Sequence, residues 1–369
     1  MRCLAVVVAA LAFASTAAAG PPPVHANAYV VTDARTGEVL ASSHARAHLA
    51  IASLTKMMTV LVALEHHRLS DVVTVDPRAS IVGESTIDLR PGERLTVRDL
   101  IKGALIQSAN DAAAALALSV APDFPSFARL MNAKAAALGL RDTHFVRPDG
   151  LDVPDHYSSA ADMTKLARVL MRTPFVRDTV DDETATIAGG RTLHTWDDLL
   201  SIFPRTIGVK TGHTSQAGWC QVAAALGGGV TVYATLLGGP TREVRNDDLE
   251  SLLIWGLAQF RTVPVIQTGR TYATAQVPYG KRSLGLVAAK PLNAAARLGR
   301  SLTEKVVAAN AVALPVRQGD VLGRVEIWEA GKLRASSDLV ASRTINKPGV
   351  AGRLGWYAGR TLHHLRGMF

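Results

Sequence analysis

Ser53 and Lys56 stand three residues apart in Ile51-Ala52-Ser53-Leu54-Thr55-Lys56-Met57-Met58, at the head of an apolar run that continues to Leu64. In a helix, residues i and i+3 share a face, which would bring the hydroxyl and the amine together. A serine hydroxyl is a weak nucleophile until a neighbouring base takes its proton. A lysine can be that base when burial and nearby positive charge lower its pKa. Early in such a helix, unpaired backbone N–H groups and the positive end of the dipole face outward beside the hydroxyl. By itself the pair also reads as a capping serine and a surface lysine, a combination common by chance. It is, however, the chain's one Ser-x-x-Lys, and two further pieces follow it in order.

The second piece is Ser108-Ala109-Asn110. One residue separates Ser108 from Asn110, so in an extended segment both side chains point the same way. A second hydroxyl can pass a proton, and an amide can hold a substrate carbonyl. The plainer reading is two helix-capping residues, since Asn110 and Asp111 both cap well. The third piece is Lys210-Thr211-Gly212-His213. Lys210 brings positive charge to a strand end, Thr211 can bond a carboxylate, and Gly212 leaves room for a peptide to lie along the strand. The plainer reading here is a basic strand end followed by a glycine turn.

These pieces need elements to carry them. Residues 28–34 and 38–42 read as strands around the turn Arg35-Thr36-Gly37. Thr96 is placed to cap a helix over 97–106. Helices are expected over 111–120, 127–138 (stopped by Gly139) and 160–171, and a closing helix over 247–260. Residues 207–211, 219–226 and 230–237 read as strands, with Gly227-Gly228-Gly229 as a turn. From Pro264 the texture changes to short strand-like runs, such as Leu284–Ala288, and residues 265–348 read as a small all-β domain. The last residues, 350–369, turn helical again.

Composition narrows the class. With 369 residues, 19% charged and 48% hydrophobic, the chain is long and apolar enough for a folded core and too apolar for a disordered protein. Arg2, the apolar stretch 4–13 and Ala17-Ala18-Ala19 form the pattern of a secretory signal, residues 1–19, with cleavage before Gly20. The apolar stretch is too short to span a bilayer. Removing the signal leaves Cys220 alone, read as a small buried strand residue, so no internal disulfide is expected. No His/Cys/Asp cluster has ligand spacing, so neither a metal nor another cofactor is expected. Residues 264–369 hold 16 Lys and Arg against 5 Asp and Glu. Such a basic end suits an anionic surface, and export leaves membrane lipid or wall polymer rather than nucleic acid.

The ordered set Ser53-Leu54-Thr55-Lys56, Ser108-Ala109-Asn110 and Lys210-Thr211-Gly212 resembles the signature of penicillin-binding proteins and serine β-lactamases. Wider stretches, 52–58, 105–113, 131–140, 149–151 and 208–218, resemble the low-molecular-weight serine D-alanyl-D-alanine carboxypeptidases. The resemblance covers residues 25–262 strongly and the β-rich end more loosely. It implies an α/β catalytic domain over 25–263, an antiparallel sheet flanked by helices with a helical lobe inserted between its strands. A C-terminal all-β domain over 264–348 and a tail over 349–369 would follow. It also implies roles: Ser53 acylated by the peptide, Lys56 its base, Ser108 a proton relay and Asn110 a substrate-placing amide. Lys210 and Thr211 would meet the terminal carboxylate, and the N–H groups of Ser53 and His213 would form an oxyanion hole. The substrate would be a peptidoglycan pentapeptide ending in D-Ala-D-Ala, and β-lactams would bind covalently. The chain departs from the family at His194-Thr195-Trp196-Asp197-Asp198, where an Asn-rich segment is usual, sometimes with a carboxylate-binding Arg. How the carboxylate is gripped on that side is left open.

Three rivals remain. A class A β-lactamase needs a deacylating glutamate between the second and third motifs, and the one candidate, Glu183, lacks the expected surroundings. An endopeptidase acting on cross-linked wall peptides would use the same site. A non-catalytic wall-binding protein would not need every motif side chain. In the tail, Val350, Leu354, Tyr357, Ala358, Leu365 and Met368 share one helical face while Arg353, Arg360, His363 and Arg366 flank or oppose it, with no acid. That pattern suits a helix lying in the headgroup layer of an anionic membrane, holding the enzyme on the outer face of the cytoplasmic membrane.

Overall fold

The computed structural model describes residues 4–11, 20–279 and 283–356. It divides into two compact units, Ala19–Ala258 and a second formed by Gln259–Phe369 with Met1–Ala18.

The first unit is built on a five-stranded antiparallel sheet. Its strands are β1 (Ala28–Asp33), β2 (Val39–Ser43), β3 (Thr206–Thr214), β4 (Gly218–Gly227) and β5 (Val230–Gly239), in the spatial order β2-β1-β5-β4-β3. β4 and β5 form a hairpin that pairs Val230 with Gly227. β3 is left as an edge strand, with Gly212 opposite Cys220 and His213 opposite Trp219. Helices α1 (Lys56–His66), α2 (Val97–Leu105), α3 (Asn110–Val120), α4 (Phe124–Leu138) and α5 (Ala160–Leu170) lie in the chain between β2 and β3. Helix α6 (Arg242–Ala258) follows the sheet. Gly256 of α6 meets Val232, while Thr164 of α5 bonds Thr235 at 2.5 Å. Positions 232 and 235 point to opposite faces of a strand, so the two helices cover the two sides of the sheet.

Local chemistry explains the helix ends. Thr96 accepts the Asp99 N–H and starts α2. Asp123 accepts the Ser126 N–H and, with Pro125 in the first turn, starts α4 three residues earlier than the sequence pattern indicates. Gly139 ends α4 in the left-handed conformation. α1 is all but buried from Lys56 to Ala63, which accounts for its continuous apolar run.

The second unit is built on β-strands, with a helix at residues 350–356. One antiparallel sheet runs Leu4–Leu11, Leu302–Ala309, Val321–Glu329, Lys332–Ala341, Leu284–Ala288, Thr271–Ala275, beside a pair formed by Phe260–Ile266 and Leu292–Arg297. Leu302–Ala309 and Leu284–Ala288 alternate between buried and half-buried residues, as strands with one face on a core must. The apolar stretch read as part of a signal lies here as strand Leu4–Leu11, with Leu4 opposite Ala309 and Leu11 opposite Leu302. Its valine run has strand propensity and meets an edge with free backbone groups. Residues 350–356 are helical, and Val350 and Leu354 are each 65% exposed. The rest of the expected tail helix, 357–369, lies outside the described residues.

Candidate active site

The run 51–64 is not one uniform helix. Ala52–Thr55 is a 3-10 turn that passes into α1 at Lys56. Ala52 takes a φ of 48°, a conformation that costs energy for a residue with a Cβ and needs support from its surroundings. Gly150 supplies part of it. A Cβ on Gly150 would stand 2.0 Å from the Ala52 carbonyl oxygen, so only glycine lets segment 149–151 close on this turn. Thr55 Oγ1 donates to that same carbonyl at 2.9 Å and lies 2.8 Å from His156 Nε2. His156 Nδ1 accepts the Val146 N–H at 3.1 Å, which leaves Nε2 as the protonated nitrogen. Burial lowers the His156 pKa to about 4, so this brace is neutral at working pH.

Lys56 Nζ lies 2.6 Å from Ser53 Oγ, 2.7 Å from Asn110 Oδ1 and 2.8 Å from the Asp149 carbonyl oxygen. The lysine is fully buried. Burial lowers its pKa to about 8, against the opposing fields of Asp149, Glu84 and Asp111.

Asn110 and Asp111 are not ordinary caps. The N-cap of α3 is Ala109, which makes no side-chain cap bond. The Asn110 amide donates to the Gly83 carbonyl at 2.9 Å, and its backbone N–H donates to that of Ser85 at 2.7 Å. The Asp111 carboxylate accepts the N–H groups of Ile87, Leu89 and Ala112. The loop before α2 is thereby tied to the head of α3. Ser108 is buried with φ 61° beside the same cleft.

β3 brings Lys210, Thr211, Gly212 and His213 to the opposite wall. Gly212 has a reason other than room for a peptide: a Cβ there would stand 2.9 Å from the backbone nitrogen of Ser53. Glycine lets the strand edge touch the backbone of Ser53. Lys210 is buried, and its Nζ donates to the Thr211 carbonyl at 2.9 Å. Burial and repulsion from Lys56 drive its pKa well below the ordinary lysine range. The His213 ring lies 4.1 Å from that of Trp219. Ser53, Ser108, Asn110, Thr211, Gly212 and His213 all line one cleft.

The segment 195–198 enters this cleft differently from the family pattern. Trp196 lines the cleft and donates from Nε1 to the Gln107 carbonyl at 3.1 Å. Asp197 is buried, accepts from Gln221 at 2.7 Å, and burial lifts its pKa to about 6. Asp198 accepts from Arg242 at 2.7 Å and Asn246 at 2.8 Å. These contacts fix Arg245, a cleft residue that the motif spacing does not single out. It is 1% exposed, donates to Asn246 Oδ1 at 2.6 and 3.1 Å, and its guanidinium lies 5.5 Å from the centre of the Trp219 ring. A signal existed: Arg242 and Arg245 both fall in the first turn of α6, where the helix dipole disfavours cations.

Among the described residues, no group of three or more His, Cys, Asp or Glu side chains is arranged to hold a metal. A half-buried serine beside a buried lysine, in a cleft that also holds Arg245, can perform acyl transfer on a substrate with a carboxylate.

Comparison with known proteins agrees with that chemistry. The family model for D-alanyl-D-alanine carboxypeptidase, peptidase S11, matches residues 15–241, and that for the C-terminal domain of penicillin-binding protein 5 matches residues 260–347. The D-alanyl-D-alanine carboxypeptidase DacF of Bacillus subtilis is 30% identical over 88% of this chain and 87% of its own length. DacC of Escherichia coli is 33% identical over 93% and 90%. The crystal structure of penicillin-binding protein 5 from Haemophilus influenzae superposes with a TM-score of 0.65 at 29% identity, covering 89% of this chain and 100% of that one.

Proposed function

Because the chain belongs to the D-alanyl-D-alanine carboxypeptidase family, we propose that it releases the terminal D-alanine of peptidoglycan pentapeptide stems through an acyl-enzyme on Ser53. The observation that carries this reading is the set of partners around Lys56 Nζ. The Asn110 and Asp149 oxygens are obligate acceptors. They take two N–H groups of a neutral amine and leave its lone pair for the Ser53 hydroxyl proton. With a pKa of about 8, roughly a tenth of Lys56 is neutral near neutral pH, enough for a general base.

Ser53 Oγ then bonds to the carbonyl carbon of the penultimate D-alanine as its proton passes to Lys56. The oxyanion faces the N–H groups of Ser53 and His213, where Gly212 permits close approach. Collapse breaks the peptide C–N bond, and Ser108 passes a proton to the leaving amine. Water then hydrolyses the ester with Lys56 again as base. Thr211 and Arg245 meet the substrate's terminal carboxylate, whose arrival favours the protonated form of the buried Lys210 beside them, with Arg245 meeting the need left by the missing Asn-rich segment. A β-lactam opens along the same path, but its leaving group stays tethered, so the ester persists.

The carboxypeptidase reading is favoured over an endopeptidase by a cationic wall suited to a free carboxylate. It is favoured over a class A β-lactamase because Glu183 is exposed beside the hairpin of Thr184–Ile187 and Arg191–His194 and does not line the cleft. The proposed division is a signal over 1–19, a catalytic domain over 25–263, a β-rich domain over 264–348 and a membrane-associated tail over 349–369. No described helix is long and apolar enough to cross a membrane, and the proposed location is peripheral, on the outer face of the cytoplasmic membrane.

Intact-mass measurement after incubation with penicillin tests the reading. One covalent adduct is expected on the peptide carrying Ser53, with loss of the adduct and of D-alanine release in Ser53→Ala. Labelling of another serine at the original rate would sink the assignment.

A further inference from the structure

Among the described residues, Glu84 is the one acidic side chain lining the candidate active-site cleft. It is exposed, and among the described residues it makes no hydrogen bond or ion pair. Its position is built rather than incidental. It takes a φ of 68°, and both neighbours are tied down: the Gly83 carbonyl accepts from the Asn110 amide at 2.9 Å, and the Ser85 carbonyl accepts from the Asn110 N–H at 2.7 Å. Ser85 Oγ donates to the Gln107 carbonyl at 2.8 Å, and Gln107 returns a bond to the Thr86 carbonyl at 2.8 Å. A strained backbone, held by its neighbours so that an exposed carboxylate lines the cleft, points to function.

The cleft is polarised. Arg245 and Lys210 share the field of Asp197 at one wall. Glu84 acts instead on Lys56 and Arg147. A substrate whose terminal carboxylate meets the first wall, with its scissile carbonyl at Ser53, must carry its upstream residues the other way. Glu84, Asn110 and Leu151 line the same cleft as Arg245, and the upstream residues are assigned to their side.

We propose that Glu84 is a specificity-determining residue that selects D-Ala-D-Ala peptides whose preceding residue carries a free side-chain amine. The inference rests on the reaction proposed above. An ammonium there meets an exposed carboxylate that holds no hydrogen bond or salt bridge and feels Lys56 and Arg147 only through space, while a neutral or acylated side chain gains nothing. The carboxylate is exposed, so the preference is modest and weakens with salt.

The test compares Nα-acetyl-L-Lys-D-Ala-D-Ala with its Nε-acetylated counterpart, measuring D-alanine release by the full mature chain at low and high salt. The free amine should be favoured about three- to fivefold in kcat/KM at low salt, the size of an exposed ion pair. Glu84→Gln should bring the ratio to about one, and Glu84→Lys should invert it. An unchanged ratio in Glu84→Gln would overturn the inference. So would equal slowing of both peptides with a shifted pH profile, which would mean that Glu84 acts through Lys56. Slower release of bound penicillin with the peptide ratio intact would make it a water-activating group, and would equally overturn the selective role. Cleavage of neither peptide by the unsubstituted enzyme would overturn the reaction itself and this inference with it. Cleavage of both at equal rates would leave the reaction standing and remove only Glu84.

Discussion

Gly212 and Ser53 are in backbone contact: a Cβ on the glycine would stand 2.9 Å from the Ser53 nitrogen. Two segments far apart in the chain thus bring the edge of β3 against the turn that carries Ser53, the proposed nucleophile. Gly212→Ala should force them apart by a few tenths of an ångström or more. A misplacement of about 1 Å at a reacting centre can cost about 100-fold, so penicillin acylation should fall by up to about that factor. Thermal unfolding of the folded variant separates this from general destabilisation. Acylation at the original rate would show that the contact is dispensable.

Lys56 predicts the pH dependence. Its folded pKa, about 8, lies below the ordinary 10.5, so the neutral form is favoured in the folded state. Acylation should therefore rise with pH and level off above about 8. For stability, the unfolded chain binds more protons between those two values, so this group adds stability as pH rises from about 8 to 10.5. Lys56→Arg keeps the charge and cannot deprotonate. It should lower acylation by about 100-fold or more, the range of general-base catalysis. An active Lys56→Arg enzyme with the original pH profile would remove Lys56 as the base.

Arg245 predicts a carboxylate effect. Arg245→Lys retains a charge but loses the planar fork. A charge-assisted hydrogen bond is worth about 1.5–3 kcal/mol, so KM for peptides with a free carboxylate should rise about tenfold or more. The amidated peptide should be affected far less. Equal losses on both would assign Arg245 to holding Asp198 and Asn246 rather than to substrate.

The tail predicts salt-sensitive membrane binding. Arg353, Arg360 and Arg366 each contribute about 1 kcal/mol near an anionic bilayer, and the exposed Val350 and Leu354 add apolar area. A chain ending at Pro348 should stay active on soluble peptide yet fail to sediment with anionic vesicles. The full mature chain should sediment at low salt and be partly released at high salt. Equal partitioning of both would move the targeting to the β-rich unit.

Local spacing determined much of this protein. Ser53 and Lys56 are three residues apart, so their meeting needs only one helical turn, and the order of the three motifs pointed to the family. Caps at Thr96 and Gly139 and the change of texture at Pro264 were equally local. Folding decided the rest. Lys56 has a lowered pKa because it is buried against Asn110 and Asp149, which lie 54 and 93 residues along the chain, and no local pattern encodes desolvation by distant segments. Arg245 becomes a cleft residue because Asp198 and Asn246 hold it there. Glu84 becomes one because Asn110 fixes the carbonyls on either side of it. In sequence each is a single charge among many, since a charged side chain acquires its role from the partners it meets, and the fold alone brings those together.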